Sequence, residues 1–96
     1  MATAPVYVGI PIPPQVSDVR ILTSPFRLKV LGTDFQAGCS VTLGGVPAPL
    51  VQFKNGQKLV LKKGLALKNL VPKGTPVEIV VTNPDGGISD PFPFER

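Results

Sequence analysis

Residues Pro76 to Phe94, PVEIVVTNPDGGISDPFPF, leave the chain few options. Val77, Ile79 and Val81 alternate with Glu78, Val80 and Thr82, the period of two of a strand with one buried face. Val80 makes the second face partly apolar, which predicts a strand inside a sheet rather than at its margin. The run Asn83, Pro84, Asp85, Gly86, Gly87 then predicts a tight turn. Asn bonds nearby backbone, Pro presets φ, Asp suits the next position, and Gly takes the left-handed one. Ile88, Phe92 and Phe94 share one parity on the return, and Pro91 and Pro93 share the other. Prolines of one parity strip the N–H donors from one side of a strand, so the returning strand is predicted to be an edge.

The same logic applies upstream. Pro47 and Pro49 share a parity within Val46 to Phe53, which predicts a second edge strand. A third Pro-x-Pro, Pro11 and Pro13, falls in the N-terminal stretch. Val19, Ile21 and Thr23 predict a first core strand, broken at Pro25. Leu28, Val30 and Gly32 predict a second, with Phe35 as a core plug, and Val41 and Leu43 a third, ended by Gly44-Gly45. Asn55-Gly56 centres a hairpin turn before a strand carrying Leu59 and Leu61. Leu65, Leu67 and Leu70 fit either a further strand or one helical turn. The pattern contains no convincing amphipathic helix.

Three stretches resemble an IPT/TIG domain, an immunoglobulin-like module found in plexins and transcription factors. They are VLGTDFQAGCSVTLGGVPAPLV, LVPKGTPVEIVV and VEIVVTNPDGGISDPFPF, and the resemblance spans Val19 to Phe94. The family's Gly-rich loop after its first strand is replaced here by Thr23-Ser24-Pro25-Phe26. The resemblance implies an all-β, immunoglobulin-like (E-set) β-sandwich of about seven strands, occupying residues 18–96. Residues 1–17 are predicted to form an extended apolar arm, because the first charged side chain is Asp18.

That arm is the first candidate site. Val6, Val8, Ile10 and Ile12 alternate, with Tyr7 among them, and such a segment does not belong in water. Two readings stand: it packs on its own domain, or it is given to a neighbouring copy or larger assembly by strand addition. The second candidate is a basic surface. Six Lys and no acidic residue lie between Asp34 and Glu78. Lys58, Lys62, Lys63 and Lys68 are the positions expected to meet nucleic acid or an acidic partner. The resemblance adds that Rel-type transcription factors use a related fold near DNA. Against this, the run holds Lys without Arg, and Leu59, Leu61, Leu65 and Leu67 interleave with it as a solvated strand face would require. A glycan or adhesion role calls for an exposed ring, for which Tyr7 is the candidate.

Catalysis is not expected. The chain has no His, the commonest general base and metal ligand. Cys39 stands alone, has no His to activate it, and reads as a small buried apolar residue. Asp85 lacks a second carboxylate at calcium-loop spacing and reads as turn chemistry. No cofactor, metal or small-molecule substrate is therefore expected. With no apolar run of membrane-spanning length and no basic-then-apolar leader, the expected setting is the cytoplasm or an assembled particle.

Overall fold

The structure is a computed structural model and describes residues 12–96. It contains eight strands and one short helix: β1 (Gln15–Leu22), β2 (Arg27–Thr33), β3 (Ser40–Leu43), β4 (Val46–Pro47), β5 (Leu50–Asn55), β6 (Lys58–Lys62), α1 (Gly64–Leu70), β7 (Val77–Thr82) and β8 (Phe92–Phe94). All pairings are antiparallel, in two four-stranded sheets ordered β1-β2-β6-β5 and β4-β3-β7-β8. The chain passes from one sheet to the other after β2, after β4 and through α1.

Both sheets contribute one face to a shared core. Val19 faces Val30, which faces Leu59; Leu28 faces Leu61; and Val41 and Leu43 face Val81 and Ile79 from the other sheet. Phe35 plugs one end and Leu67 of α1 closes the other side of the same cluster. The protein is thus an all-β sandwich. β7 lies inside its sheet and β8 at its margin, as the alternation of Val77 to Val81 and the prolines after it predict.

Several expectations are corrected. β1 begins at Gln15, inside the stretch assigned to the arm, and Pro14 is already fully buried. Gly32 is what lets β1 come so close: a Cβ there would lie 1.8 Å from the Gln15 carbonyl oxygen. Thr23 is in the turn, not the strand, and Ile21, next to the open edge, stays exposed. Val46 to Phe53 is not one edge strand but two pieces in different sheets. β4 pairs with β3, and Ala48 N–H still donates to the Val41 carbonyl. Pro49, which has no N–H to donate, falls where the chain leaves that sheet to start β5. The stretch after Lys63 is a helix of two turns. Leu67 is fully buried in it and Leu70 half-buried, whereas Leu65 faces solvent at 75% exposure.

The returning strand of the last hairpin also departs from its predicted parity. Thr82 faces Ile88, but Ile79 faces Phe92, so one extra residue is accommodated between them. An inserted residue reverses which side chains point inward. Ile88 is accordingly 59% exposed while Ser89 is 4% exposed. Ser89 bonds Val81 twice: its N–H donates to the Val81 carbonyl, and its Oγ accepts from the Val81 N–H. Phe92 and Phe94 return to the core side.

Candidate functional site

The predicted turn forms as its residues dictate. Gly86 takes φ +96°, and its N–H donates to the Asn83 carbonyl at 3.0 Å. Asp85 is occupied as a turn residue. One carboxylate oxygen accepts from Gly87 N–H at 2.9 Å and the other from Gln36 Nε2 at 2.8 Å. These bonds to the charged form hold its carboxyl below the ordinary carboxylate pKa. Pro84 and Gly86 are exposed, and Gly87 is buried against the end of the arm. A Cβ on Gly87 would lie 2.9 Å from the Ile12 carbonyl oxygen.

Asn83 does more than its local turn requires. It is 2% exposed. Its side-chain oxygen accepts from Gln36 N–H at 3.1 Å, and its Nδ2 donates to the Asp34 carbonyl at 2.8 Å. Its backbone N–H donates to Gly87. Every polar group of this buried residue is therefore bonded, and the last hairpin is fastened to the loop after β2. Sequence offers Asn83 as a turn former; the long-range bonds have no local signature.

Of the five candidate residues of the arm, only Ile12 lies among the described residues; it is exposed and lines a cleft of about 620 Å³ with Asp34, Phe35, Gln36 and Gln57. Val6, Tyr7, Val8 and Ile10 lie outside the described residues.

The four candidate lysines separate into two groups. Lys58 and Lys62 lie on β6, whose alternate residues Leu59 and Leu61 enter the core, so both face outward from the β1-β2-β6-β5 sheet. Lys63 sits in the left-handed region, φ +77°, just before α1, and Lys68 is exposed on the helix. The sheet also brings up three cations that the lysine run does not contain. Arg20, Lys29, Val60 and Gln52 form one row across the outer face. Asp18, Leu31, Lys58 and Asn55 form a second. The third begins with Leu22 facing Arg27 and ends with Lys62 facing Leu50, Arg27 and Lys62 flanking the Leu28–Leu61 pair. Five cations thus stand on this face with one carboxylate, Asp18, which pairs with Arg20 at 2.8 Å.

Two details mark the face as more than a scatter of charge. Val60 is only 6% exposed yet lies outside the core cluster, so it is covered by its outer-face neighbours. Beside it, Gln52 Oε1 is buried without a hydrogen-bond partner. At one end, Arg27, Lys62 and Lys63 line a cleft of about 550 Å³ with Phe26 and Leu50. The other sheet differs: β3, β4 and β8 carry no charged side chain, and β7 carries only Glu78.

Cys39 is a buried free thiol, and burial pushes its pKa up, which disfavours the reactive thiolate. The described residues contain no cluster of three or more His, Cys, Asp or Glu. They also contain no helix long and apolar enough to cross a membrane. Comparison with family models finds no match to the chain, and comparison with curated proteins finds no significant one.

Proposed function

We propose that this chain is a non-catalytic structural module of immunoglobulin-like, IPT/TIG type that joins copies of itself, or a larger assembly, through open sheet edges. The strand order supports the fold part of this reading. Taken in chain order, β1-β2-β6-β5 and β4-β3-β7-β8 correspond to the A-B-E-D and C′-C-F-G sheets of an immunoglobulin sandwich. The three family-like stretches fall on the end of β2 through β5, on the approach to β7, and on β7 to β8.

The assembly part rests on one observation, an asymmetry between the edges. Both margins of the β4-β3-β7-β8 sheet carry proline, Pro47 in β4 and Pro93 in β8. Neither margin of the other sheet does. Proline removes donors and blunts an edge against pairing. β5 in particular presents an unpaired backbone row with Leu50 and Phe53 exposed along it. An added strand from another copy would complete the backbone hydrogen bonds and cover both side chains.

Light scattering across a concentration series tests this. The full chain is expected as an oligomer, and Leu50→Lys with Phe53→Lys, which charge the edge without touching the fully buried core, should return it to monomer. A full chain that is monomeric throughout sinks the proposal. An oligomer that survives the lysines but is lost when residues 1–11 are removed would move the joint to the arm.

A further inference from the structure

The outer face of the β1-β2-β6-β5 sheet contradicts what folding alone favours. Like charges directly across a strand pair destabilise it. Arg20 nevertheless faces Lys29, and Arg27 and Lys62 stand together at the end of the β2–β6 ladder. Asp18 relieves only Arg20. Among the described residues Arg27, Lys29 and Lys62 have no carboxylate partner, and a local rule left mostly uncompensated inside the molecule points to compensation outside it. We propose that this face binds the phosphate backbone of duplex nucleic acid, through Arg20, Arg27, Lys29, Lys58 and Lys62.

The chemistry of the face selects this occupant. Cations recur in successive rows, which lie two residues apart, about 6.8 Å, while neighbouring strands lie about 4.8 Å apart. The array is therefore a continuous basic surface and not a pocket for one anion. Between the cations the outer-face apolar side chains are Leu22, Leu31, Leu50 and Val60, with no ring among them. The nearest ring, Phe26 in the cleft at one end, already has the Arg96 guanidinium over it, so unpaired bases would find no row of free rings, and stacking is what holds single strands on neutral parts of a surface. A duplex already stacks its bases internally and needs only phosphate contacts. The same lack of base-reaching geometry makes the binding indifferent to sequence. The face lies across the sheet from the core and meets the open β5 edge at Leu50; Lys29 stands on β2, away from that edge, so a titration read from Lys29→Glu is distinguishable from the outcome of the assembly reading.

Five cations with one partly neutralised correspond to roughly four phosphates. Affinity should then fall with a log–log salt slope near −3.6, about 10²-fold between 50 and 200 mM salt. The test is fluorescence anisotropy of a labelled 20-base-pair duplex of arbitrary sequence, titrated with the full chain. Binding with that slope is expected, and Lys29→Glu should weaken it at least tenfold. The same substitution places a carboxylate opposite Arg20, so thermal stability should hold or rise, which separates lost binding from lost folding. Lys68→Glu, an equal charge change off the face, should cost less than threefold. The proposal is overturned by absence of binding at 50 mM salt, by a flat salt dependence, or by equal losses in the two variants. A preference for a single strand of the same sequence, or displacement by polyglutamate as effective as by duplex, also overturns it in favour of another occupant.

Discussion

Replacing Asn83 by Ala should be among the costliest single changes at a residue outside the apolar core. Two side-chain hydrogen bonds are lost, reaching residues 47 and 49 positions away. Each contributes about 1 kcal/mol net. Gln36 N–H is then left without its acceptor in a half-buried place, which adds about 1–2 kcal/mol of unmet desolvation. The Asp34 carbonyl belongs to an exposed residue and recovers water, so it adds little. The expected loss is about 2–4 kcal/mol, a large share of the roughly 5–10 kcal/mol available to a domain of this size. At about 4–8 °C per kcal/mol, the melting temperature should fall by roughly 8–32 °C. Urea unfolding gives the free energy directly, and the denaturant slope should be unchanged if only stability has moved. Asn83→Asp keeps the shape but sets a carboxylate against the Asp34 carbonyl, and at neutral pH should cost at least as much. A loss below about 1 kcal/mol for Asn83→Ala would refute the reasoning, because the hairpin would then be held by its turn and its ladder alone.

Other outcomes follow from the same geometry. Leu67→Ala in α1 should cost about 2–4 kcal/mol in urea unfolding, whereas Leu65→Ala, two residues earlier and facing solvent, should stay within about 0.5 kcal/mol; equal effects would mean that α1 docks by a different face. Gly32→Ala should prevent the native approach of β1, since the clashing atom is the Gln15 backbone oxygen and cannot swing away, and loss of the cooperative near-ultraviolet signal on melting would report it. Asp85 has its folded pKa depressed by Gly87 N–H and Gln36, so its contribution is present above the ordinary value of 3.8 and is lost as pH falls through the folded value. Asp85→Asn should therefore flatten the acid limb of stability below about pH 4 and leave neutral pH little changed; identical limbs in the two proteins would contradict it.

The parts of the fold that were readable are those whose cause is local. The 83–87 turn needs only the conformational habits of Asn, Pro, Asp and Gly in succession. The edge status of β8 and β4 needs only the missing N–H of Pro93 and Pro47. The parts that escaped depend on contacts far along the chain. One inserted residue between Ile88 and Phe92 exchanged the roles of Ile88 and Ser89, and no single-strand pattern reveals it, because register exists only between two strands. Pro49 was visible, but that β4 and β5 would belong to different sheets was not. Leu65, Leu67 and Leu70 satisfy both a two-residue and a three-residue period over so short a stretch, and only the space available beside β2 made the segment a helix.

The basic surface divides in the same way. Sequence alone determined that the chain has alternating strands, Pro-guarded margins, a Gly-closed turn and an acid-free lysine run from 54 to 73. It did not determine which cations meet. Along the chain, charged strands alternate in pairs with nearly uncharged ones: β1 and β2 are basic or mixed, β3 and β4 uncharged, β5 and β6 basic, β7 and β8 nearly neutral. Each passage between the sheets sorts these pairs to opposite sides. Arg20, Arg27 and Lys29 thereby join Lys58 and Lys62 across about thirty residues of intervening chain, while Lys63 stays at the end of the face beside Arg27 and Lys62 and Lys68 is carried off it by α1. Alternation along a strand fixes which side chains point away from the core, but strand order fixes their neighbours, and that order comes from the packing of the two sheets on one another.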